Sequence, residues 1–200
     1  LEDPILTLKS GSTTIGENDN WADHETAAIV QALGKAPTEP LDSAFYICLA
    51  PGPYTAFLKG TVGTTRGIGI VEVIDVDQGT PFLANISTRA QVKTGARRVV
   101  AGFIIEGSQS REVLIRGRGP TVNVNNATLL ADPQVQLRVG PNVLSLNDNW
   151  GEADNAAAIS ATGQAPADPA EAAILITLQP GAYTVFLEAA DGVPGLGIIE

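Results

Sequence analysis

The tetrapeptide "NDNW" occurs twice in this chain, at residues 18–21 and again at residues 147–150. The chain contains only two tryptophans, and each is the last residue of one of these tetrapeptides. Sliding the sequence against itself by 129 residues also aligns "LAPGPYTAFL" at residues 49–58 with "LQPGAYTVFL" at residues 178–187. Of the first 58 aligned positions, 25 are identical. The sequence therefore contains an internal repeat.

The repeat extends almost to the end of the chain. After a gap of one residue, "GIGIVE" at residues 67–72 aligns with "GLGIIE" at residues 195–200. The repeated copies are residues 1–72, called copy one, and residues 130–200, called copy two. In copy one the last strand-like sequence runs on as "VIDVD". We therefore predict three domains: copy one extended to residues 1–77, a basic β-rich segment at residues 78–129 that packs on or links the copies, and copy two at residues 130–200.

Short apolar stretches separated by Gly, Pro and Ser dominate both copies and the basic segment. Many short strands at close spacing are typical of sandwiches and jelly rolls. "DHETAAIVQALG" predicts a short helix, which Asp23 caps and Gly34 ends. The predicted fold class is all-β, with tandem jelly-roll or β-sandwich modules and short helical turns. The predicted strands include "ILTLK" (5–9), "SAFYICLA" (43–50), "YTAFLKG" (54–60), "GIGIVEVIDVD" (67–77), "FLANISTRAQV" (82–92), "RRVVAGFIIEG" (97–107) and "REVLIRG" (111–117).

Charge is distributed unevenly along the chain. The net charge is −10, which argues against nucleic acid as a partner, because phosphates attract basic surfaces. Copy one carries a net −5 and copy two a net −8, whereas residues 73–129 carry +3. Acidic copies and a basic segment can attract one another, within or between chains, although solvated faces would give the same pattern. No apolar run approaches the ~18 residues of a membrane span.

The order of motifs resembles a known bacterial module. An Asp-Pro lead, a strand, a Gly turn, the "NDNW" loop and "LAPGPYTAFL" are similar to the pre-peptidase C-terminal domain, a β-sandwich appended to secreted enzymes. With "FLANISTRAQVKTGARRVVAGFIIEG" and "EVLIRGRGP" added, the unit also resembles a repeat module of large exported proteins of environmental bacteria. The resemblance covers nearly the whole chain. It implies an extracellular or bacterial cell-surface location and roles in adhesion or substrate targeting.

Oxygen-bearing side chains surround both "NDNW" loops at matching positions. Calcium takes six to eight oxygen ligands from carboxylates, amides and carbonyls, and the resemblance implies calcium binding through acidic loops of this kind. The alternative is structural, because Asn and Asp stabilise turns through bonds to their own backbone. Trp21 would then hold the loop to the sandwich. The candidate calcium ligands are Asp3, Asn18, Asp19, Asn20, Asp23 and Glu25 in copy one, and Asp132, Asn147, Asp148, Asn149, Glu152 and Asp154 in copy two.

The residue inventory offers little for catalysis. His24 and Cys48 are the one histidine and the one cysteine, and copy two has Ala153 and Thr177 in their places. A Ser/His or Cys/His pair therefore cannot occur in both copies. We predict a non-enzymatic extracellular structural or adhesive repeat protein. The alternative is an accessory module that targets a secreted hydrolase to polysaccharide or protein, and a third interpretation is a catalytic domain.

Self-association is the predicted partner interaction, beside possible contacts with extracellular matrix or polysaccharide. Copy two stops at Glu200 where copy one continues, so we expect a short strand and an open sheet edge in copy two. An open edge presents unpaired N–H and C=O groups to another chain. Contacts through such edges, or between acidic copies and the basic segment, would be head-to-tail and would build a surface filament.

Overall fold

The computed structural model describes residues 1–61, 67–77, 83–95 and 97–200. The chain divides into two compact units, Leu1–Phe82 and Leu83–Glu200, called the first and the second unit. Residues 78–82 are outside the described residues. The predicted boundary between copy one and the basic segment adjoins them, and the predicted strand 82–92 begins within them. Within the described ranges, no helix is long and apolar enough to cross a membrane.

The first unit contains one small antiparallel sheet. Its strands are β1 (Pro4–Ser10), β2 (Thr13–Asn18) and β3 (Thr55–Gly60), in the order β2-β1-β3. A 3₁₀ turn at Trp21–Asp23 and a short helix, α1 (Ala27–Ala32), follow β2.

The second unit is a β-sandwich of two four-stranded sheets. One sheet has the strand order β5-β10-β7-β8 and the other β4-β11-β6-β9, and all pairings between their strands are antiparallel. The basic segment supplies three of the eight strands. The strands are β4 (Thr88–Val92), β5 (Val99–Ile105), β6 (Arg111–Arg118), β7 (Pro133–Val139), β8 (Asn142–Asn147), β9 (Ala172–Leu178), β10 (Gly181–Ala189) and β11 (Gly195–Ile199), with a 3₁₀ turn at Trp150–Glu152 and a helix α2 at Ala156–Ala161.

Both units repeat one backbone arrangement with the same register. Leu6 pairs with Asn18 and with Leu58 in the first unit, and Val135 pairs with Asn147 and with Leu187 in the second. A register shift follows Leu8 in β1 and recurs at the equivalent place in β7. The all-β sandwich class predicted from the repeat is therefore confirmed.

The core of the second unit lies between its two sheets. Val135, Leu137 and Leu187 face it from one sheet, and Ile115 and Ile199 from the other. In the described part of the first unit, Val30 is the one buried Val, Leu, Ile or Phe. The same sequence repeat therefore produces a closed core in one unit and a largely open one in the other.

Two predicted strands of copy one are not strands. Residues 43–50 and 67–77 have no regular structure, although the equivalent parts of copy two form β9 and β11. In the second unit, β6 pairs with both β9 and β11. The N–H and C=O groups of a strand need a neighbouring strand as their hydrogen-bond partner. In the described part of the first unit, no strand like β6 lies beside residues 43–50 and 67–77, so these residues form no ladder.

The helix caps differ in detail from the prediction. Thr26, and not Asp23, occupies the N-cap position of α1, and Asp23 closes the preceding 3₁₀ turn. Gly34 follows the helix with a φ of 67°, and Gly163 repeats this after α2 with 69°. A left-handed residue after a helix is normally glycine, so the predicted helix end is correct.

Candidate functional site

Asparagine side chains fasten both "NDNW" loops internally. Asn18 donates from Nδ2 to the carbonyl of Asn20 at 2.9 Å and accepts at Oδ1 from the amide of Ala44 at 3.0 Å. Asn147 makes the equivalent bonds, to the carbonyl of Asn149 at 3.1 Å and from the amide of Ala173 at 2.9 Å. Asn18 therefore connects its loop to residues 43–50, and Asn147 connects its loop to β9. The structural reading of these residues accounts for the bonds seen.

The two tryptophans share a backbone contact but differ at the indole. Trp21 donates its amide to the carbonyl of Asp42, as Trp150 does to Glu171, at 2.9 Å in both cases. Trp150 also donates from Nε1 to the carbonyl of Asp168 at 2.9 Å. The Nε1 of Trp21 is buried and has no hydrogen-bond partner among the described residues.

Two of the predicted calcium ligands in copy one accept hydrogen bonds from the chain itself. Asp3 accepts a bond from the Thr61 hydroxyl at 2.6 Å, and Asp19 accepts one from the amide of Asn20 at 2.9 Å. A depression of about 200 Å³ lies beside the "NDNW" loop of copy one and is lined by Ile5, Glu17, Asn18 and Asp19. No cluster of three His, Cys, Asp or Glu side chains suited to a metal occurs in the described ranges. Calcium binding stays a prediction.

One predicted ligand in the second unit lies in a field of like charge. Burial raises the pKa of Asp132, and the carboxylates of Asp191 and Asp148 raise it further. Asp191 is not among the residues predicted from the sequence, because it lies in a turn 59 residues away from Asp132. A cation near Asp132 would relieve the repulsion that its carboxylate experiences.

His24 and Cys48 each have a local hydrogen-bond partner. His24 Nδ1 lies 2.8 Å from the Thr26 hydroxyl, and its ring stacks on Phe45. The Cys48 thiol is exposed and lies 3.2 Å from the Tyr46 hydroxyl. Their hydrogen bond is the main reason that the pKa of Tyr46 is raised.

A buried carboxylate joins the basic segment to copy two. Glu171 is fully buried, and its Oε1 accepts from the amides of Gly119 and Thr121 at 2.9 and 3.0 Å. The Thr121 hydroxyl donates to Oε2 at 2.8 Å, and Arg118 Nε lies 3.8 Å from the same oxygen. A buried carboxylate is stable when its lone pairs are satisfied in this way. Glu171 therefore fixes the turn after β6 onto copy two.

Two further acidic residues of copy two bind arginines of the basic segment. Glu200 Oε2 lies 2.6 Å from Arg116 Nη2 and 3.7 Å from Arg118 Nη1. Glu188 lies 2.7 Å from Arg98, whose guanidinium stacks on Phe186 at 3.8 Å. The attraction predicted from the uneven charge is thus realised inside the second unit as specific ion pairs.

Copy one keeps two of the three acidic residues that bind the basic segment in copy two. Asp42 is equivalent to Glu171 and Glu72 to Glu200, so both carboxylates are retained. Phe57 is equivalent to Phe186, but Lys59 stands in place of Glu188. These matches are visible in the sequence alignment. The alignment does not show that the carboxylates bind residues of the basic segment, because Gly119 lies 52 residues from Glu171.

The expectation of an open edge at the end of copy two is wrong, and the two copies differ instead in the edge of β3 and its equivalent β10. β11, the last strand of copy two, lies between β4 and β6. β10 pairs on one side with β7 and on the other with β5. β3, its equivalent, pairs with β1 and is the last strand of its sheet in the described part of the chain.

The fold defines this chain as an all-β protein in which a repeated strand arrangement is completed to a β-sandwich in the second unit. Neither a protein-family model nor a curated protein matches it. Among solved structures it is similar to the pre-peptidase C-terminal domain of collagenase from Bacillus anthracis. The two are 11% identical, with a TM-score of 0.38, over 58% of this chain and 87% of that one.

Proposed function

We propose that the chain is a non-enzymatic structural or adhesive repeat protein of the extracellular space or bacterial cell surface, whose modules associate through open strand edges into head-to-tail filaments. One observation carries the proposal. The two copies share register and loops, yet β10 has strands on both sides whereas β3 ends its sheet within the described residues.

The buried carboxylate and the duplicated asparagine side chains form hydrogen bonds that hold parts of the chain together. Glu171, the one fully buried carboxylate of the described residues, holds the turn after β6. The side chains of Asn18 and Asn147 hold the duplicated loops. These uses support a structural role.

The edge of β3 has the features of a strand-addition site. A strand at a sheet edge presents a row of N–H and C=O groups that a strand of another chain can satisfy. The outward side chains of Thr55 and Phe57 are exposed, so an added strand would meet no covering layer there. An edge that receives a different surface of its neighbour gives a heterologous contact, which extends into a filament when it does not close.

Sedimentation velocity over a range of protein concentrations tests this proposal. Wild-type chain is expected to show larger species as concentration rises, whereas Thr55→Lys/Phe57→Lys is expected to stay a monomer, because lysines on an edge strand oppose strand pairing. Thr184→Lys is the matched control, since Thr184 lies at the same position of β10, which is paired on both sides.

The control variant is expected to associate as the wild type does. A wild-type chain that remains monomeric at the highest concentration and at low salt contradicts the filament. Equal association of the wild type and the double lysine variant contradicts the role of β3.

A further inference from the structure

We propose that the first unit accepts two strands like β5 and β6, supplied by a segment other than residues 83–129 and inserted where the second unit holds its own. This occupant is called a basic-type segment, defined by the pattern of residues 97–121. The inference rests on the open edge of β3 that the proposed function uses, and it names the kind of strand that this edge takes. It takes the second unit as a template, because there the equivalent surface is already filled.

The backbone of the first unit preserves both sides of the insertion position. The amino group of Leu1 donates to the carbonyl of Ile68 at 2.6 Å, as the amide of Leu130 does to Leu196 at 2.9 Å. On the other side, the bond between Ala44 and Asn18 repeats that between Ala173 and Asn147. Residues 43–49 and 67–71 therefore hold the places of β9 and β11, the two strands between which β6 lies in the second unit.

Apolar side chains along this position are open in the first unit and covered in the second. Leu49 is 45% exposed, whereas its equivalent Leu178 is 4% exposed. Val71 is 42% exposed, whereas Ile199 is 2% exposed. Ile68 is the extreme case, at 91%. Burial of apolar side chains away from water is favourable, so these exposed side chains favour the insertion of an apolar strand.

Charge selects which strand fits. Asp42 and Glu72 stand where Glu171 and Glu200 receive Arg118 and Arg116 of β6. Copy one carries a net −5, so it attracts a strand that carries two arginines two positions apart. Lys59 replaces the glutamate that binds Arg98, so the preferred partner strand has a neutral or acidic residue at that place.

The chain's own basic segment is not the occupant. β4, β5 and β6 are built into the two sheets of the second unit. Completing the first unit therefore requires another segment of the same kind.

A synthetic peptide of residues 97–121, added to the full 200-residue chain, tests the proposal. We expect 1:1 binding by calorimetry, together with slower amide exchange at residues 43–49, 55–60 and 67–71 and no change in the second unit. An Arg98→Glu peptide is expected to bind more tightly because of Lys59. An Arg116→Ala/Arg118→Ala peptide is expected to bind about tenfold more weakly or worse, since each loses charged hydrogen bonds.

The chain variant Asp42→Asn/Glu72→Gln is the reciprocal test and is expected to reduce the difference between these peptides. The proposal is overturned if the peptide does not bind, if the arginine-free peptide binds equally well, or if exchange changes only in residues 83–200, which would show replacement of the resident segment. Self-association without peptide binding would overturn this inference and leave the proposed function standing. Peptide binding without self-association would do the reverse.

Discussion

Glu171 shows how one buried side chain holds two sequence segments together. Its carboxylate satisfies the amides of Gly119 and Thr121 and the Thr121 hydroxyl. Removing the carboxylate would leave these buried and partly buried donors without an acceptor. The cost of each unsatisfied group is about 1–3 kcal/mol, which exceeds the net contribution of an ordinary hydrogen bond.

Glu171→Ala is expected to lower the free energy of unfolding of the second unit by about 3 kcal/mol or more, and Glu171→Gln by less, because Gln keeps one acceptor oxygen. Urea unfolding followed by the fluorescence of Trp150 measures this. Asp42→Ala is the matched control in copy one and should cost less than about 1 kcal/mol, because Asp42 is only half-buried. Equal costs at the two positions would contradict the role assigned to Glu171.

Asp132 lies at the one predicted calcium position with a raised pKa. A folded-state pKa above the unfolded value means that the charged form is disfavoured by folding, so the penalty is present at neutral pH and disappears as pH falls through the folded pKa. Asp132→Asn is therefore expected to raise the melting temperature slightly at pH 7. The difference should shrink as pH falls. A variant less stable than wild type at pH 7 would contradict this.

Calcium at the same place would act on the same repulsion. Calcium that binds only the folded chain would stabilise it by about 2.7 kcal/mol at a hundredfold excess over Kd. Melts of both proteins with calcium and with chelator are the measurement, and the calcium effect is expected to be smaller in Asp132→Asn. Identical wild-type midpoints with and without millimolar calcium would remove the calcium prediction.

At the scale of elements, β6 packs so closely on the opposite sheet that it needs glycine. A Cβ at Gly117 would lie 2.5 Å from Val135 Cγ1 and 2.9 Å from Leu187 Cδ1. Gly102 in β5 is different, because a Cβ there would meet only the Tyr183 carbonyl at 3.5 Å, an ordinary contact.

Gly117→Ala is accordingly expected to destabilise the second unit by about 1–3 kcal/mol through overpacking. Gly102→Ala is the control and is expected to be neutral or slightly stabilising, since glycine weakens a strand interior. Chemical unfolding of both variants checks the pair. Similar stabilities for the two would mean that β6 has room to move away from Val135 and Leu187.

The repeat predicted the elements that are complete within one copy. β1, β3 and the short helix follow from local pattern and turn residues, and their duplicates in copy two agree. Residues 43–50 and 67–77 carry equally good strand patterns but form no strands, because their ladders depend on β6. A strand that must be supplied from elsewhere in the chain leaves no trace in the local sequence, which is why the site around Glu171 was not predictable either.

On the scale of the whole molecule, the two units differ in how much apolar surface they bury. The second unit has a cluster of buried side chains between two sheets, which includes Val92, Leu130 and Leu137. In the first unit, Leu49 and Val71 remain partly exposed where their equivalents are covered. Burial of apolar surface is the main favourable term in folding, so the units should differ in stability although they share sequence.

We therefore expect two unfolding transitions, with the first unit unfolding at the lower urea concentration. Trp21 and Trp150 provide one reporter in each unit, so Trp150→Phe leaves the first unit visible and Trp21→Phe leaves the second. The transition of the first unit should also be the shallower, because the slope of unfolding with urea increases with the surface exposed. Adding the 97–121 peptide should shift the Trp21 transition upward and leave that of Trp150 in place, because a ligand of the folded state stabilises only the unit that binds it. Coincident transitions in the two single-tryptophan proteins would show that the units unfold as one and would contradict the open core of the first.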